Sequence, residues 1–506
     1  MKSVLVGFMG AGKSTAARSL GGEAADVDEV IEARVGRSVQ EIFAQDGEAA
    51  FRELEEQATL ELLDDSAIDT VALGGGALGS ARVRKALAKV RVIWLDVAVD
   101  LAWERTGGGT AAARPLARDR QAFERLHTQR RPLYEALADV IVPASRAERF
   151  KEILETLDGL GAKEARVLWA TTGSGDYPVY IGRGLVCERQ FWPAKIAGRR
   201  VVISDYNAGR HYGEAFEPTL ASIRVMPGEQ SKTLAHAEIV WTEMVRHGVT
   251  RTDVAVAVGG GVVGDLAGFC AATYQRGMRY VQVPTTLVAQ VDSAYGGKTG
   301  VDLSEAKNYV GAFHQPVAVI ADTATLATLP REELAAGYAE VLKTGLLAGG
   351  PLWDLIRGGA APSDPRVIAG CALTKLRVVA EDEHDTGVRQ LLNLGHTIGH
   401  AVETATGYAR YRHGEAVGLG LLAALRLSGA DQLRDEVATL MAQVGLPLTL
   451  DPSLDVDQVI FATARDKKRV GEGPVPFVLC PAPGQAQFGQ YVPPAELRAA
   501  VKELLS

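Results

Sequence analysis

Val4-Leu5-Val6-Gly7-Phe8-Met9-Gly10-Ala11-Gly12-Lys13-Ser14 is an apolar run that ends in a glycine loop and a Lys-Ser pair. Three consecutive apolar residues suit a parallel strand buried on both faces. The loop that follows fits G-x-x-x-x-G-K-[ST] without a mismatch. Its glycines let backbone N–H groups curl around phosphates, and the start of the next helix adds the positive end of its dipole. Lys13 is expected to reach the β/γ phosphates of ATP or GTP and Ser14 to bind Mg²⁺. Gly10, Ala11, Gly12 and Thr15 complete the cradle. Strand, glycine turn and helix at this point set an α/β class, a parallel sheet with helices on both faces.

Outward from the loop, residues 1–158 carry further polar groups. Asp26-Val27-Asp28 places two carboxylates on one face if extended, one for Mg²⁺ and one for a substrate hydroxyl; Asp28 also suits a helix N-cap. Gly47-Glu48-Ala49-Ala50-Phe51-Arg52 ends an amphipathic segment on a cation. Gly74-Gly75-Gly76 follows an apolar strand, so backbone can approach a ligand closely. Arg105 to Arg114, rich in glycine, suits a mobile lid over phosphates. Arg130-Arg131-Pro132-Leu133-Tyr134 adds cations near a helix, and Arg146 to Leu157 reads as a closing amphipathic helix.

In that order, these segments resemble the shikimate kinase family over almost all of residues 1–158. The resemblance implies that Ser14 and Asp26 organise Mg²⁺ and that Asp28 holds and helps deprotonate the accepting hydroxyl. Arg52, Gly74, Gly75, Gly76 and Arg130 would bind shikimate. Arg114 would act on the transferring phosphoryl group and Arg105 would lie along the adenine. Phosphoryl transfer relies on positioning and charge stabilisation, for which a Lys, a metal and an Arg are the expected equipment. The segment between Ser14 and Asp26 is shorter than the resemblance leads one to expect, ending the first helix near Gly21-Gly22.

At 506 residues, two to four domains are expected. A net charge of −8 argues against non-specific nucleic-acid binding, so an anionic substrate needs cations gathered locally. Cys187, Cys270, Cys371 and Cys480 form no CxxC pair, which suits reduced thiols in a cytoplasm. No signal peptide or bilayer-spanning run fits, so a soluble cytoplasmic protein without membrane partners is expected. Residues 159–165 read as a linker, 166–325 as an α/β domain, and 326–506 as a mostly helical one.

In the second half, Val254-Ala255-Val256-Ala257-Val258 runs into Gly259-Gly260-Gly261 and then a helix, a geometry that seats a pyrophosphate although the spacing is not G-x-G-x-x-G. Tight helix–sheet packing is the plainer explanation. Beyond Thr325 strand signals fade, and Leu334–Leu347, Arg366–Glu381 and Glu415–Leu427 read as helices. His396 and His400, four apart, share one helical face. Thr397 stands where a zinc-protease motif needs Glu. The pair alone reads as hydrogen-bonded core; with His413 and a carboxylate candidate at Glu340, a zinc site with an open position becomes the leading reading. Lysines and arginines among small residues in an acidic chain point to an anionic substrate, and together with zinc and a dinucleotide to redox chemistry at a carbinol carbon.

Pro227-Gly228-Glu229-Gln230-Ser231-Lys232, the run Gly259 to Phe269, Val283-Pro284-Thr285-Thr286-Leu287, Gly296-Gly297-Lys298-Thr299-Gly300 and Asn393-Leu394-Gly395-His396-Thr397-Ile398-Gly399-His400 resemble the 3-dehydroquinate synthase family. The resemblance implies Glu340, His396 and His413 as ligands of Zn²⁺ (or Co²⁺), with His400 turned to substrate. It assigns NAD to Asp205, Asn207, Glu229, Lys232, Gly260, Gly261, Val262, Asp265, Thr285, Thr286, Lys307 and Thr328. Asp292, Lys298, Asn308, Lys343, Lys375, Arg389, Asn393 and Lys467 or Lys468 would surround the heptulosonate phosphate. Of these, Asp292, Lys298, Lys343, Arg389 and His400 would act in catalysis. Arg276 would reach the neighbouring subunit's site, which implies a homodimer. The implied reaction oxidises a hydroxyl with NAD, expels phosphate, returns the hydride and closes the ring as an aldol. The sequence before His413, Arg410-Tyr411-Arg412, departs from the Leu-Leu expected there. The whole reading is a fused bifunctional enzyme of the shikimate pathway. Its alternatives are a glycerol-dehydrogenase-like polyol dehydrogenase fused to a small-molecule kinase, and a nucleotide-sensing regulator with an inactive second half.

Overall fold

The structure is a computed structural model that describes residues 2–109, 115–161, 165–304, 306–464 and 475–505. The chain forms two compact units, the first residues 1–170 with 178–180 and 193–195, the second the remainder.

In the first unit the parallel strands Ala24–Asp26, Thr70–Ala72, Ser3–Val6, Arg91–Asp96 and Val140–Pro143 lie side by side in that order. Val4, Leu5 and Val6 have no exposed surface, as an apolar run in the middle of a parallel sheet requires. The chain leaves Ser3–Val6 at the point where the strand order reverses, the usual place for a ligand crevice. Gly12 caps the helix Lys13–Ser19 at φ +87°, a conformation that favours glycine. Two local expectations are corrected. The helix Val27–Val35 is capped by Asp26, whose side chain accepts from the Asp28 N–H, so Asp28 lies inside the first turn and not at the cap. Arg146 to Leu157 is not one helix: a 3₁₀ turn, Ala144–Arg149, breaks at Arg146 before the helix Phe150–Glu155, which allows both Ala144 and Phe150 to bury.

In the second unit the parallel strands Ala318–Asp322, Arg279–Pro284, Val254–Gly259, Arg200–Asp205 and Thr219–Val225 are neighbours in that order. The helix Gly261–Thr273 rises from the glycine turn after the central strand. The expected helices occupy Arg331–Ala348, Pro365–Glu381 and His413–Leu427. The mostly helical reading of this part holds; one short antiparallel pair, Phe477–Leu479 with Gln487–Gln490, accompanies the helices.

Glycines decide how closely the helices of this unit pack. A Cβ on Gly420 would sit 2.0 Å from the Gly395 carbonyl oxygen, and one on Gly414 would sit 1.8 Å from that of Ala336. Helices His396–Ala405 and His413–Leu427 therefore meet backbone to backbone. Among the described residues no helix is long and apolar enough to cross a membrane.

Two candidate active sites

In the first unit, the Lys13 ammonium donates to the Gly7 and Phe8 carbonyls at 2.9 and 3.2 Å, folded back over the loop it is expected to serve. Ser14 Oγ donates to Asp26 Oδ2 at 2.5 Å. The short segment between them therefore still brings together the hydroxyl and carboxylate expected to hold Mg²⁺. Arg105 reaches the Gly10 carbonyl at 3.4 Å. Arg114 lies outside the described residues.

The triple glycine gathers polar side chains around it, and Gly75 and Gly76 line a cavity. Arg130 and Tyr134 both donate to the Gly75 carbonyl, at 3.0 and 2.5 Å. A Cβ on Gly76 would meet Arg52 Nη1 at 2.1 Å, and one on Gly74 would lie 3.1 Å from Asp28 Oδ1. Asp28, Arg52, Gly74–Gly76 and Arg130 thus converge, and Arg52, Gly75, Gly76 and Arg130 line a cavity of 940 Å³. Sequence reasoning missed Glu55. It is buried, pairs through Oε2 with Arg52 at 2.6 Å, and leaves Oε1 without a hydrogen bond. Burial raises its carboxyl pKa despite Arg52. The Arg-x-x-Glu spacing on one helix was the available signal.

In the second unit, Glu340 stands mid-helix while His396 and His413 are the first residues of their helices. Both imidazoles bring Nε2 to 3.4 Å from Glu340 Oε1. His396 Nδ1 faces the Leu394 carbonyl at 3.2 Å, and His413 Nδ1 faces Glu403 Oε2 at 3.3 Å. Carbonyl and carboxylate oxygens accept only, so both Nδ1 atoms donate, and each ring is left with Nε2 as the atom that faces Glu340 and is available to a cation. Donor atoms of all three residues lie within 4.8 Å of one another. Glu340 is 1% exposed; its Oε2 is paired with Lys343, and its Oε1 faces only the two imidazoles. Two Nε2 atoms and a buried carboxylate gathered at one point fit a divalent cation, and the N₂O donor set suits zinc. A second overlapping group, His400, Glu403 and His413, also falls within 4.8 Å. There, however, His413 Nδ1 and Glu403 are already engaged with each other.

Around this point the charges interlock. Lys343 Nζ approaches Glu340 Oε2 at 2.6 Å and Asp292 Oδ1 at 3.7 Å, and Lys375 Nζ lies 2.9 Å from the same Asp292 oxygen. Burial opposes the Asp292 carboxylate, yet Lys343 and Lys375 hold it down at about 2. Burial likewise opposes Glu340, but Lys343 and the imidazoles hold it well below the ordinary range. For Lys375 burial prevails and lowers its pKa. Asp292 sits in a single π-helical turn, Ala289–Ser293, a widened turn frequent at functional sites. Gln290, fully buried, pins it with its amide Nε2 set among Pro284 O, Asp322 O and Thr325 Oγ1, all within 3.0 Å.

Arg389, 2% exposed, donates to the Gly296 carbonyl at 3.0 Å, in the loop that leads to Lys298. Lys298 pairs with Asp385, which sequence reasoning also missed. Asp385 holds φ +60° and leaves Oδ1 buried without a hydrogen bond. Asn308 adopts φ +57° with its N–H on Asp302 Oδ1, and Asn393 closes the 3₁₀ turn before Gly395. His400 lies beside His396, ring centroids 5.3 Å apart. Arg276 is exposed, with no ion pair among the described residues. Lys467 and Lys468 lie outside them.

On the dinucleotide side, Lys232 pairs with Asp265 at 2.6 Å and approaches Glu229 at 4.0 Å; Lys307 lies 3.9 Å from Glu229. Gly260 heads the helix that begins Gly261-Val262, and its Cβ position lies 2.9 Å from Thr286 Cγ2. The Thr285 N–H donates to the Gly259 carbonyl. Asp205 caps the helix Tyr206–Tyr212, which exposes Asn207 in its first turn, and Tyr212 meets Thr328 Oγ1 at 2.6 Å. The Arg410-Tyr411-Arg412 departure is absorbed on the surface. Arg410 pairs with Asp451, Tyr411 accepts from the Asp451 N–H, and Arg412 pairs with Glu333 and Glu415.

Fold and donor geometry together define a P-loop nucleotide-binding unit joined in one chain to a dinucleotide-type α/β unit with a carboxylate–bis-imidazole cluster. The shikimate kinase family model matches residues 9–158. The models of the 3-dehydroquinate synthase N-terminal and C-terminal parts match residues 222–336 and 337–469. The 3-dehydroquinate synthase of Symbiobacterium thermophilum is 41% identical over 357 residues, covering 66% of this chain and 99% of that protein. That of Halorhodospira halophila is 41% identical over 347 residues, covering 65% and 97%. A solved 2-epi-5-epi-valiolone synthase from Streptomyces hygroscopicus, with NAD⁺ and Zn²⁺ bound, is 27% identical with a TM-score of 0.59, covering 66% of this chain and 98% of that one. The chain belongs to the 3-dehydroquinate synthase family, with a shikimate kinase domain fused ahead of the synthase.

Proposed function

We propose that this chain catalyses two steps of the shikimate pathway. One is ATP-dependent phosphorylation of shikimate to shikimate 3-phosphate. The other converts 3-deoxy-D-arabino-heptulosonate 7-phosphate to 3-dehydroquinate and phosphate, with NAD and a divalent metal as cofactors. The observation that carries the synthase reading is the meeting of Glu340, His396 and His413 beside the Asp292–Lys343–Lys375 cluster.

In the kinase, Lys13 would leave the Gly7 and Phe8 carbonyls for the phosphates. Ser14 and Asp26 would hold Mg²⁺, which screens phosphate charge when bound. Arg52 and Arg130, flanking the triple glycine, would take the shikimate carboxylate, and Asp28 would accept the hydroxyl proton. Arg114 is the proposed lid cation and Arg105 the adenine contact.

In the synthase, Glu340, His396 and His413 would hold Zn²⁺ or Co²⁺, a Lewis acid that eases proton loss from a bound hydroxyl. NAD supplies reversible hydride acceptance and is regenerated each turnover. Gly260, Gly261 and Val262 would offer backbone to its pyrophosphate, while Asp205, Asn207, Glu229, Lys232, Asp265, Thr285, Thr286, Lys307 and Thr328 orient it. Lys298, Asn308, Lys375, Arg389, Asn393 and Lys467 would fix the anionic ends of the substrate. Asp292, Lys343 and His400 would hold and move protons at its ring. Arg276, exposed in the single chain, would serve the site of a second copy, which makes the protein a homodimer in the cytoplasm. The working divisions are 1–158, 166–325 and 326–506.

The test is phosphate release from the heptulosonate phosphate with NAD, before and after a chelator, followed by shikimate-dependent ADP formation. Chelator-sensitive phosphate release without net NADH supports the synthase. Net NADH from a polyol would replace it with a dehydrogenase.

A further inference from the structure

Glu403 lies two helical turns beyond His396, is 4% exposed, and has no part in the assignments above. Its Oε2 accepts from His413 Nδ1–H at 3.3 Å. Its Oε1 lies 3.9 Å from Lys307 Nζ, which in turn sits 4.3 Å over the Tyr408 ring. The carboxylate thus has the imidazole at one oxygen and a cation near the other. His413 itself is partly exposed at the start of its helix, so its ring needs an external restraint.

We propose that Glu403 is a positioning residue for the metal ligand His413. Its carboxylate fixes the tautomer that leaves Nε2 unprotonated and facing Glu340. Its charge makes that nitrogen a stronger donor, as carboxylates behind metal-bound imidazoles do. Glutamine in this place would fill the same volume and could still accept from Nδ1–H, but would bring no charge. An isolated buried ion pair is weak evidence for stability alone, which favours a role at the ligand over one in folding. The proposal rests on the metal reading of Glu340, His396 and His413.

Its test is a Co²⁺ titration of the full chain, stripped of metal, for wild type and Glu403→Gln, followed by the visible absorption of the bound ion. The expected result is a 10- to 100-fold rise in the Co²⁺ dissociation constant with an altered absorption band. Shikimate-dependent ADP formation should stay unchanged in the same preparation. A dissociation constant within twofold of wild type overturns the proposal, because a packing role is conserved by glutamine. Should Glu403→Gln fail to fold, ¹⁵N-histidine spectra of the zinc-loaded wild type decide the point. They support it if His413 carries its proton on Nδ1 and overturn it if Nδ1 is the metallated nitrogen. Wild type that binds no Co²⁺ overturns the underlying metal reading as well, and so separates the two failures.

Discussion

Replacing Gly420 by alanine adds one methyl group at a close helix contact behind the Glu340–His396–His413 cluster. The new Cβ would stand 2.0 Å from the Gly395 carbonyl oxygen and 2.9 Å from the Gly399 nitrogen, both backbone atoms that no rotamer can move. An ordinary carbon–oxygen contact is about 3.3 Å, so the carbonyl must retreat by about 1.3 Å. Overpacking of this kind costs about 1–3 kcal/mol. The larger effect is on geometry, because Gly395 is bonded to His396. Catalytic constellations tolerate errors of about 0.5 Å, and a misplacement of about 1 Å costs on the order of 100-fold in rate. Gly420→Ala should therefore lower synthase kcat/KM by about 100-fold and reduce bound metal, while shikimate-dependent ADP formation is unaffected. Gly213→Ala is the control, since nothing lies within 4 Å of its Cβ position. Continuous phosphate-release kinetics with metal analysis of the same samples provide the assay. A Gly420→Ala protein with full metal and synthase activity within threefold of wild type would refute the argument that close helix approach sets the donor geometry.

Lys13→Met should abolish ADP formation while leaving phosphate release from the heptulosonate phosphate intact, as coupled assays on one preparation would show; joint loss would contradict two independent sites. Glu340→Gln removes the carboxylate opposite Lys343, and metal analysis should find the protein essentially metal-free, with synthase activity lost and the kinase retained. Asp385→Asn leaves Lys298 without its ion-pair partner, and synthase kcat/KM should fall by about tenfold or more; an unchanged value would make that pair ornamental. Away from either site, the Arg199 guanidinium beside Asp253 lowers its carboxyl pKa to about 2 from the ordinary 3.8. A depressed carboxylate stabilises above its unfolded value, and the gain disappears as pH falls through about 2. In urea titrations Asp253→Asn should be less stable by about 1 kcal/mol above pH 4, after discounting for the exposure of Arg199. The difference from wild type should close toward pH 2.

Much of this was readable before any coordinates, because the chemistry is carried by short motifs. The phosphate loop, the triple glycine and the Asn393–His400 run each hold several functional residues within one turn or loop, so local spacing suffices. Glu340 could be paired with His396 and His413 only as a candidate, because three separate helices bring them together. Asp385 and Glu403 were not recognised, for a shared physical reason. Each is an acidic residue whose partner comes from another element, Lys298 87 residues from Asp385 and His413 on the helix after that of Glu403. From spacing alone such a residue is indistinguishable from a solvated surface charge. Glu55 was closer to hand, but its burial is a property of the packed helix and not of the Arg-x-x-Glu pattern. The glycines at 395, 399, 414 and 420 were visible as small residues; their purpose, close contact between helix backbones, needs the third dimension. The π-helical turn at Asp292 has no sequence signature that period-based reading can detect.

Anomalous diffraction from crystals of the zinc-loaded protein, recorded on both sides of the zinc absorption edge, tests the central claim most directly. A single strong peak about 2.0–2.2 Å from Glu340 Oε, His396 Nε2 and His413 Nε2 is the predicted result. A peak centred on His400, Glu403 and His413, or none within bonding distance of Glu340, would contradict the account.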